Sequence, residues 1–225
     1  MLRLFAVVGL ILTALGAPSA LAQKATFFTA SYVEVGPVLA KVGALALRNY
    51  ADAGKKDQGV VDLDVAQQID RLNRFVVLAA WTDQAAYEAH LAGEQSKKLN
   101  EKLATLLASP VDVRRNDNAL AVAPPKPGKD AIIVVTHVDV LPASKDATVA
   151  ALEQLADEAR KHAGNLQFDV WEQAGRPNHF TMVESWSTRG AFDLHQMQKE
   201  TREFRGKLAP MLGALYDERL YKPLK

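Results

Sequence analysis

The chain of 225 residues carries 27 basic and 26 acidic side chains, a net charge of +1, with the two signs interspersed. That balance gives no electrostatic footprint for nucleic acid or an anionic membrane. The absence of cysteine excludes disulfides, thiolate metal sites, a cysteine nucleophile and a lipidated N-terminal cysteine.

The chain opens on Met1-Leu2-Arg3, then an apolar run from Leu4 to Leu15, then Gly16, Pro18 and the small-residue triplet Ala20-Leu21-Ala22. This order predicts a Sec-type signal peptide over 1–22, cleaved after Ala22. The run is shorter than the ~20 residues a spanning helix needs. The expected mature chain is secreted or periplasmic, with no stable membrane association once the signal is cut.

A first module is expected over residues 23–115. Phe27 to Val35 reads as a strand, Pro37 to Lys56 as a helix, and Val60 to Ala66 and Asn73 to Trp81 as two further strands. A helix follows through His90, more helix to about Leu107, and a strand near Val111 to Arg115. Residues 116–130, NDNALAVAPPKPGKD, have the Pro and Gly content of a linker.

The second module, 131–225, is cleaner. Ile132 to Val140 is a β-branched strand ended by Leu141-Pro142. Val149, Leu152, Leu155, Ala156 and Ala159 recur at helical steps, and Gly164 ends that helix. Leu166, Phe168 and Val170 alternate with polar neighbours as a half-buried strand. The turn residues Gly175 to Asn178 lead into the strand Phe180 to Trp186. Helices follow through His195 and over Lys199 to Leu208, then a strand over Leu212 to Tyr221.

The two modules are copies of each other. Phe75, Trp81 and His90 recur as Phe180, Trp186 and His195, all at an offset of 105. The same offset relates Val33 to Val138, Pro37 to Pro142, Gly59 to Gly164 and Asn73 to Asn178. One register held over unlike residues indicates duplication. The order β-α-β-β-α-β is the split βαβ of a ferredoxin-like fold. Each module would cover one sheet face with helices and leave the other bare. The expected fold is therefore α+β, tandem ferredoxin-like (βαββαβ) modules burying their bare faces in each other as an intrachain barrel.

The segment GNLQFDV…RPNHFTMVESWSTRGAFDLH resembles the antibiotic biosynthesis monooxygenase (ABM) domain, a dimeric α+β barrel, and the likeness extends to both modules. The resemblance implies a cofactor-independent monooxygenase acting with O2 on a small aromatic, quinol-like or polyketide-like substrate. The alternative is a non-catalytic small-molecule-binding barrel of the periplasm. By the same resemblance, Trp81 and Trp186 line a substrate pocket, with Tyr87 and Phe192 at the position of a pocket tyrosine. Val77 and Met182 stand where an asparagine is found in some members. Haem-degrading relatives carry an axial histidine near Leu99 and Phe204, neither of which can ligate iron.

The residues themselves suggest the acid–base groups. Glu184 lies two before Trp186, so both share a strand face, and a desolvated carboxyl there would titrate high enough to move protons. Its counterpart is Ala79, so one site per chain is expected. His137 and Tyr32, register partners on the first strands, should face the barrel interior, where His137 would share a lumen with Glu184 as a base. His90 and His195 suit a common structural task, and His162 and His179 read as surface residues. No metal-ligand spacing and no glycine-rich phosphate loop occur, so neither metal, nucleotide nor flavin is expected. Whether the chain assembles further is left open by the sequence.

Overall fold

A computed structural model describes residues 25–122 and 130–224. The signal segment and most of the Pro-rich stretch lie outside the described residues. The first module contains β1 (Phe27–Glu34), α1 (Ala40–Gly54), β2 (Val60–Gln68), β3 (Arg74–Trp81), α2 (Gln84–Ala92), α3 (Glu94–Leu103) and β4 (Asp112–Ala121). The second contains β5 (Ile132–Asp139), α4 (Lys145–Ala159), β6 (Asn165–Gln173), β7 (Arg176–Trp186), α5 (Arg189–Met197), α6 (Lys199–Leu208) and β8 (Asp217–Pro223).

Local chemistry sets the helix starts. Asp83 caps α2 by accepting the Ala86 amide, and Thr188 caps α5 by accepting the Ala191 amide. Leu152, Leu155, Ala156 and Ala159 of α4 are all buried, which is the helical stripe meeting its sheet. Two boundaries differ from the sequence reading. β8 begins at Asp217 instead of Leu212, and β4 runs on to Ala121 through residues assigned to the linker. Asn116 and Ala119 pair there with Gln173 and Trp171 of β6. That partner comes from the other module, so tertiary pairing makes a strand of a segment with weak strand propensity.

The eight strands form one closed barrel in the order β1-β3-β2-β8-β5-β7-β6-β4. Each module contributes four neighbouring strands, and the two sheets join edge to edge. One seam pairs β2 with β8 over Ala66 to Gln68; the other pairs β4 with β6. Closure leaves no sheet edge unpaired. The fold is thus the expected α+β pair of ferredoxin-like repeats closed into an intrachain barrel.

Three cores follow from this architecture. Val33, Leu47, Leu63, Phe75 and Trp81 fill the space between the first sheet and its helices. Val138, Leu152, Phe168, Phe180, Met182 and Trp186 do the same in the second module. The third core is the barrel interior, where Phe28, Val76, Val135, Trp171, Val183 and Tyr221 meet. Burying an aromatic ring of this kind contributes roughly 1.5–3 kcal/mol, so the interior welds the modules together.

The duplication extends to backbone detail. Gly59 and Gly164 both have left-handed φ, +82° and +84°, before β2 and β6. A Cβ at Gly164 would lie 2.6 Å from Ala191 Cβ and 2.7 Å from Ser187 Oγ. Strain and clash act together there, so Gly164→Ala should destabilise the protein by about 3 kcal/mol. Urea unfolding measures this, and a loss below about 1 kcal/mol would show that the turn relaxes freely.

Candidate functional site

The residues singled out from sequence stand in three separate places. Tyr32 and His137 occupy the barrel interior, as alternation along β1 and β5 requires. The Tyr32 hydroxyl lies 2.6 Å from His137 Nε2, and the rings meet edge-on with centroids 5.3 Å apart. His137 Nδ1 is 3.3 Å from Thr181 Oγ1. Arg219 places its guanidinium 5.2 Å from the centre of the Tyr32 ring and donates from Nε to Asp217 at 2.9 Å. Burial, and then the Arg114 and Arg219 charges, push His137 down to about 3. Burial also pushes the Tyr32 phenol well above its ordinary value. At neutral pH the pair is therefore a phenol donating to an uncharged imidazole, and His137 is a poor general base.

The middle of the barrel is filled by side chains, but beside Tyr32 the mouth opens into a cleft of about 210 Å³. Gln68, Arg74, Asp112, Arg219 and Tyr221 line it, so both modules contribute.

Glu184 does not share that lumen, which corrects the expectation from sequence. In the β5–β7 register Val134 pairs with Glu184 and Val138 with Phe180. Paired residues share a sheet face, so the helix-side valines carry Phe180, Met182, Glu184 and Trp186 to the helix side as well. Met182, Trp186 and Phe192 accordingly lie in the second module's helix-covered core. Trp81 and Tyr87 lie in the first module's core, where Tyr87 packs 5.4 Å from Trp81 and 5.4 Å from Phe27, ring centre to ring centre. Tyr87 is thus joined to neither Glu184 nor His137, and burial raises its phenol above the usual range.

Glu184 is the centre of a buried polar chain. Its carboxyl is 1% exposed and accepts the Trp186 indole N–H at 2.9 Å on Oε2. The same oxygen lies 3.6 Å from His195 Nε2, and Trp186 stacks on His195 at 4.4 Å. On the far side, His195 Nδ1 lies 2.9 Å from His162 Nδ1 and 3.4 Å from Thr201 Oγ1. His162 is half-buried and so reaches towards solvent, a role its reading as a plain surface residue missed. Burial raises Glu184 to about 8. Burial, followed by His162 and Arg205, pushes His195 down to about 3. Glu184, His195 and His162 stand in a row as a candidate proton wire: the two imidazoles are within hydrogen-bond distance, while Glu184 lies 3.6 Å from His195 Nε2, just beyond it.

The relatives bear on what this chain does. The sequence pattern of the family described as "Antibiotic biosynthesis monooxygenase" matches residues 40–102 and 131–207, more than half of the chain. The chain belongs to the antibiotic biosynthesis monooxygenase family. YcnE of Bacillus subtilis (strain 168), named as a presumed monooxygenase, is 30% identical over 78 residues, which cover 35% of this chain and 79% of YcnE. Among solved structures, a presumed monooxygenase from Fusobacterium nucleatum superposes with a TM-score of 0.79 at 16% identity, covering 88% of this chain and 92% of its own. An anthrone oxidase-like protein superposes with a TM-score of 0.71 at 15% identity, covering 91% and 93%. Both share the fold over the whole tandem.

As a tandem ABM protein, the chain has let its two copies diverge at the wire. In the first module Trp81 donates to Thr29 Oγ1 at 3.1 Å, and His90 is held between Tyr50, 2.6 Å from Nε2, and Asp57, 2.7 Å from Nδ1. The second-module counterparts of Thr29 and Tyr50 are Val134 and Leu155, which offer no polar group. Glu184, in place of Ala79, stands in for both. His90 and His195 thus share the structural task expected of them, but only His195 faces a titratable carboxyl on one side and an imidazole on the other. No group of three or more His, Asp or Glu side chains able to hold a metal occurs among the described residues.

Proposed function

We propose that this protein is a cofactor-independent monooxygenase that oxidises a small aromatic, quinol-like or polyketide-like substrate with O2, and that the second module carries the chemistry. The observation that supports this reading is Glu184, a buried carboxyl whose pKa of about 8 lets it take and return a proton near neutral pH. Glu184 draws a phenolic proton from the substrate, and His195 and His162 hand it to solvent. The resulting anion passes an electron to O2, and the radical pair recombines with formation of a C–O bond. Loss of water from the hydroperoxide leaves one oxygen atom on the ring, with the substrate supplying both electrons. The single Trp186 N–H, given to Glu184 Oε2 at 2.9 Å, supports the carboxylate when it is ionised.

Leu155 and Phe204 floor a shallow dimple between α4 and α6, and Leu155 is the register partner of Tyr50, whose hydroxyl reaches His90. The family's monooxygenase type and the anthrone oxidase-like fold relative agree with this substrate class. The N-terminal signal pattern supports export to the periplasm.

Oxygen uptake with menadiol, without added metal or cofactor, tests the proposal. Equimolar consumption above autoxidation is expected. A second reading, the non-catalytic binding barrel, is favoured by Glu184 standing in for Thr29 and Tyr50. Menadiol binding without oxygen uptake would establish that reading and remove the enzymatic one.

A further inference from the structure

Two tyrosines of this chain donate to a histidine at the same distance, but the two pairs have opposite surroundings. In the barrel, the Tyr32 hydroxyl lies 2.6 Å from His137 Nε2, and His137 Nδ1 meets the neutral Thr181 hydroxyl at 3.3 Å. Arg114 and Arg219 oppose a positive charge on that ring, and Asp217 offsets them only in part. In the first module, the Tyr50 hydroxyl lies 2.6 Å from His90 Nε2, and Asp57 Oδ2 lies 2.7 Å from Nδ1 on the far side. A carboxylate only accepts, so Nδ1 carries the proton, Nε2 offers its lone pair, and the Tyr50 hydroxyl donates to it. Asp57 thus fixes the tautomer and can neutralise an imidazolium.

This relay ends an aromatic chain. The His90 ring lies 4.8 Å from Trp81, Trp81 lies 5.4 Å from Tyr87, and Tyr87 lies 5.4 Å from Phe27, ring centre to ring centre. Phe27, Trp81, Tyr87 and His90 are buried, Tyr50 is half-buried, and the Asp57 side chain is 37% exposed, so the chain runs from core to solvent. The second module lacks this ending: Leu155 stands at the position of Tyr50 and His162 at that of Asp57.

We propose that Tyr50 is a one-electron donor, oxidised by radicals of the peroxyl class with transfer of its phenolic proton to His90. Burial pushes the phenol up to about 12, so at neutral pH it is protonated and its electron leaves readily only if the proton leaves with it. The peroxyl radical takes one electron and, with a proton from water, becomes a hydroperoxide. The Tyr50 O–H bond breaks, its proton forms an N–H bond at His90 Nε2, and a neutral phenoxyl radical remains. The imidazolium then faces the Asp57 carboxylate, so no uncompensated charge is buried. An electron returned by a solvent reductant, such as a thiol, brings the proton back and restores the pair. At Tyr32 the same transfer would set an imidazolium in the field of two arginines. Oxidation that begins on the buried Trp81 has the same outlet, through its ring contact with His90.

Freeze-quench electron paramagnetic resonance of the full chain after signal removal tests this, with photogenerated tris(bipyridine)ruthenium(III) as oxidant. A tyrosyl signal is expected. It should fall about tenfold in Tyr50→Phe, which keeps the ring, and persist in Tyr32→Phe, since one charge-assisted hydrogen bond sets the preference. Asp57→Asn keeps a hydrogen-bond acceptor but removes the counter-charge. It should slow radical formation about tenfold, which a merely structural role for Asp57 would not do. If a variant fails to fold, spin-trap labelling and peptide mass spectrometry of the wild type supply the test, with the label expected on Tyr50. Absence of a tyrosyl signal, an undiminished signal in Tyr50→Phe, an unchanged rate in Asp57→Asn, or a label on Tyr32 or Tyr216 in place of Tyr50 would overturn the assignment. No quinol enters these measurements, so their outcome is separate from that of the menadiol assay.

Discussion

Glu184→Gln should lose at least 100-fold in turnover while becoming more resistant to unfolding at alkaline pH. The kinetic half follows from removing the carboxylate proposed to take the proton from substrate, an effect of roughly 10²–10⁴ for a positioned base. Gln keeps an oxygen for the Trp186 N–H, so the local packing is preserved. The stability half follows from linkage. The carboxyl ionises near 4.5 when unfolded and at about 8 when folded, so the folded state holds its proton more tightly. Its stabilising contribution is complete below the unfolded value and is lost as pH rises towards 8. Against the uncharged amide, the wild type should fall behind by about 1.4 kcal/mol per pH unit across that window, an order of 3–5 kcal/mol in all. Urea unfolding of both proteins at pH 5 and pH 8.5 reads the gap directly. A gap independent of pH would show that Glu184 is ionised in the folded protein, and the wire would lose its source. In the wild type, turnover should rise with pH through about 8, because the base works only when ionised.

The second large effect has the opposite sign. His137 and His195 are both held down to about 3 by burial, with Arg114 and Arg219 acting on the first and His162 and Arg205 on the second. Unfolded imidazoles bind protons from about pH 6.5 downward, but these two cannot do so while folded. Stability is therefore fully present above about 6.5 and drains as pH falls towards 3. Each histidine accounts for roughly 4–5 kcal/mol over the whole window, and the two together rival the 5–15 kcal/mol that holds a typical domain folded. The protein should unfold cooperatively between about pH 5 and pH 3, followed by circular dichroism. His137→Gln retains an acceptor for Tyr32 and cannot titrate, so its midpoint should move to lower pH. An unchanged midpoint would mean that His137 is already protonated in the fold, with Asp217 offsetting the two arginines.

The fold was legible in the sequence because the offset of 105 is carried by residues with unlike jobs: a glycine at a left-handed turn, a tryptophan at a strand end, a histidine on a helix. Strand alternation also set Glu184 beside Trp186 and turned Tyr32 and His137 to the interior. It could not tell which face of β7 is the interior. That depends on the β5–β7 register, which puts Val138 opposite Phe180. A carboxyl between Met182 and Trp186 invites placement in a polar lumen, yet three large apolar neighbours on the same face belong to a thick, helix-covered core. The continuation of β4 was hidden for another reason. Asn116, Asp117 and Asn118 have no strand preference of their own, and their ladder is completed by β6 from the far module. His162 was missed because its partner His195 sits on a helix distant in sequence, and Gln68 and Arg219 because the cleft they line forms only where the two modules meet.

The Tyr32–His137 contact has a further consequence. The two residues are counterparts under the repeat, and they touch one another. Two identical subunits meeting about a twofold axis would set each residue against its own twin, phenol to phenol or imidazole to imidazole. A hydroxyl aimed at a ring nitrogen requires unlike halves, and a covalent tether guarantees them. A single chain therefore carries no rotational-symmetry obligation, and one half can hold Glu184 where the other holds Ala79.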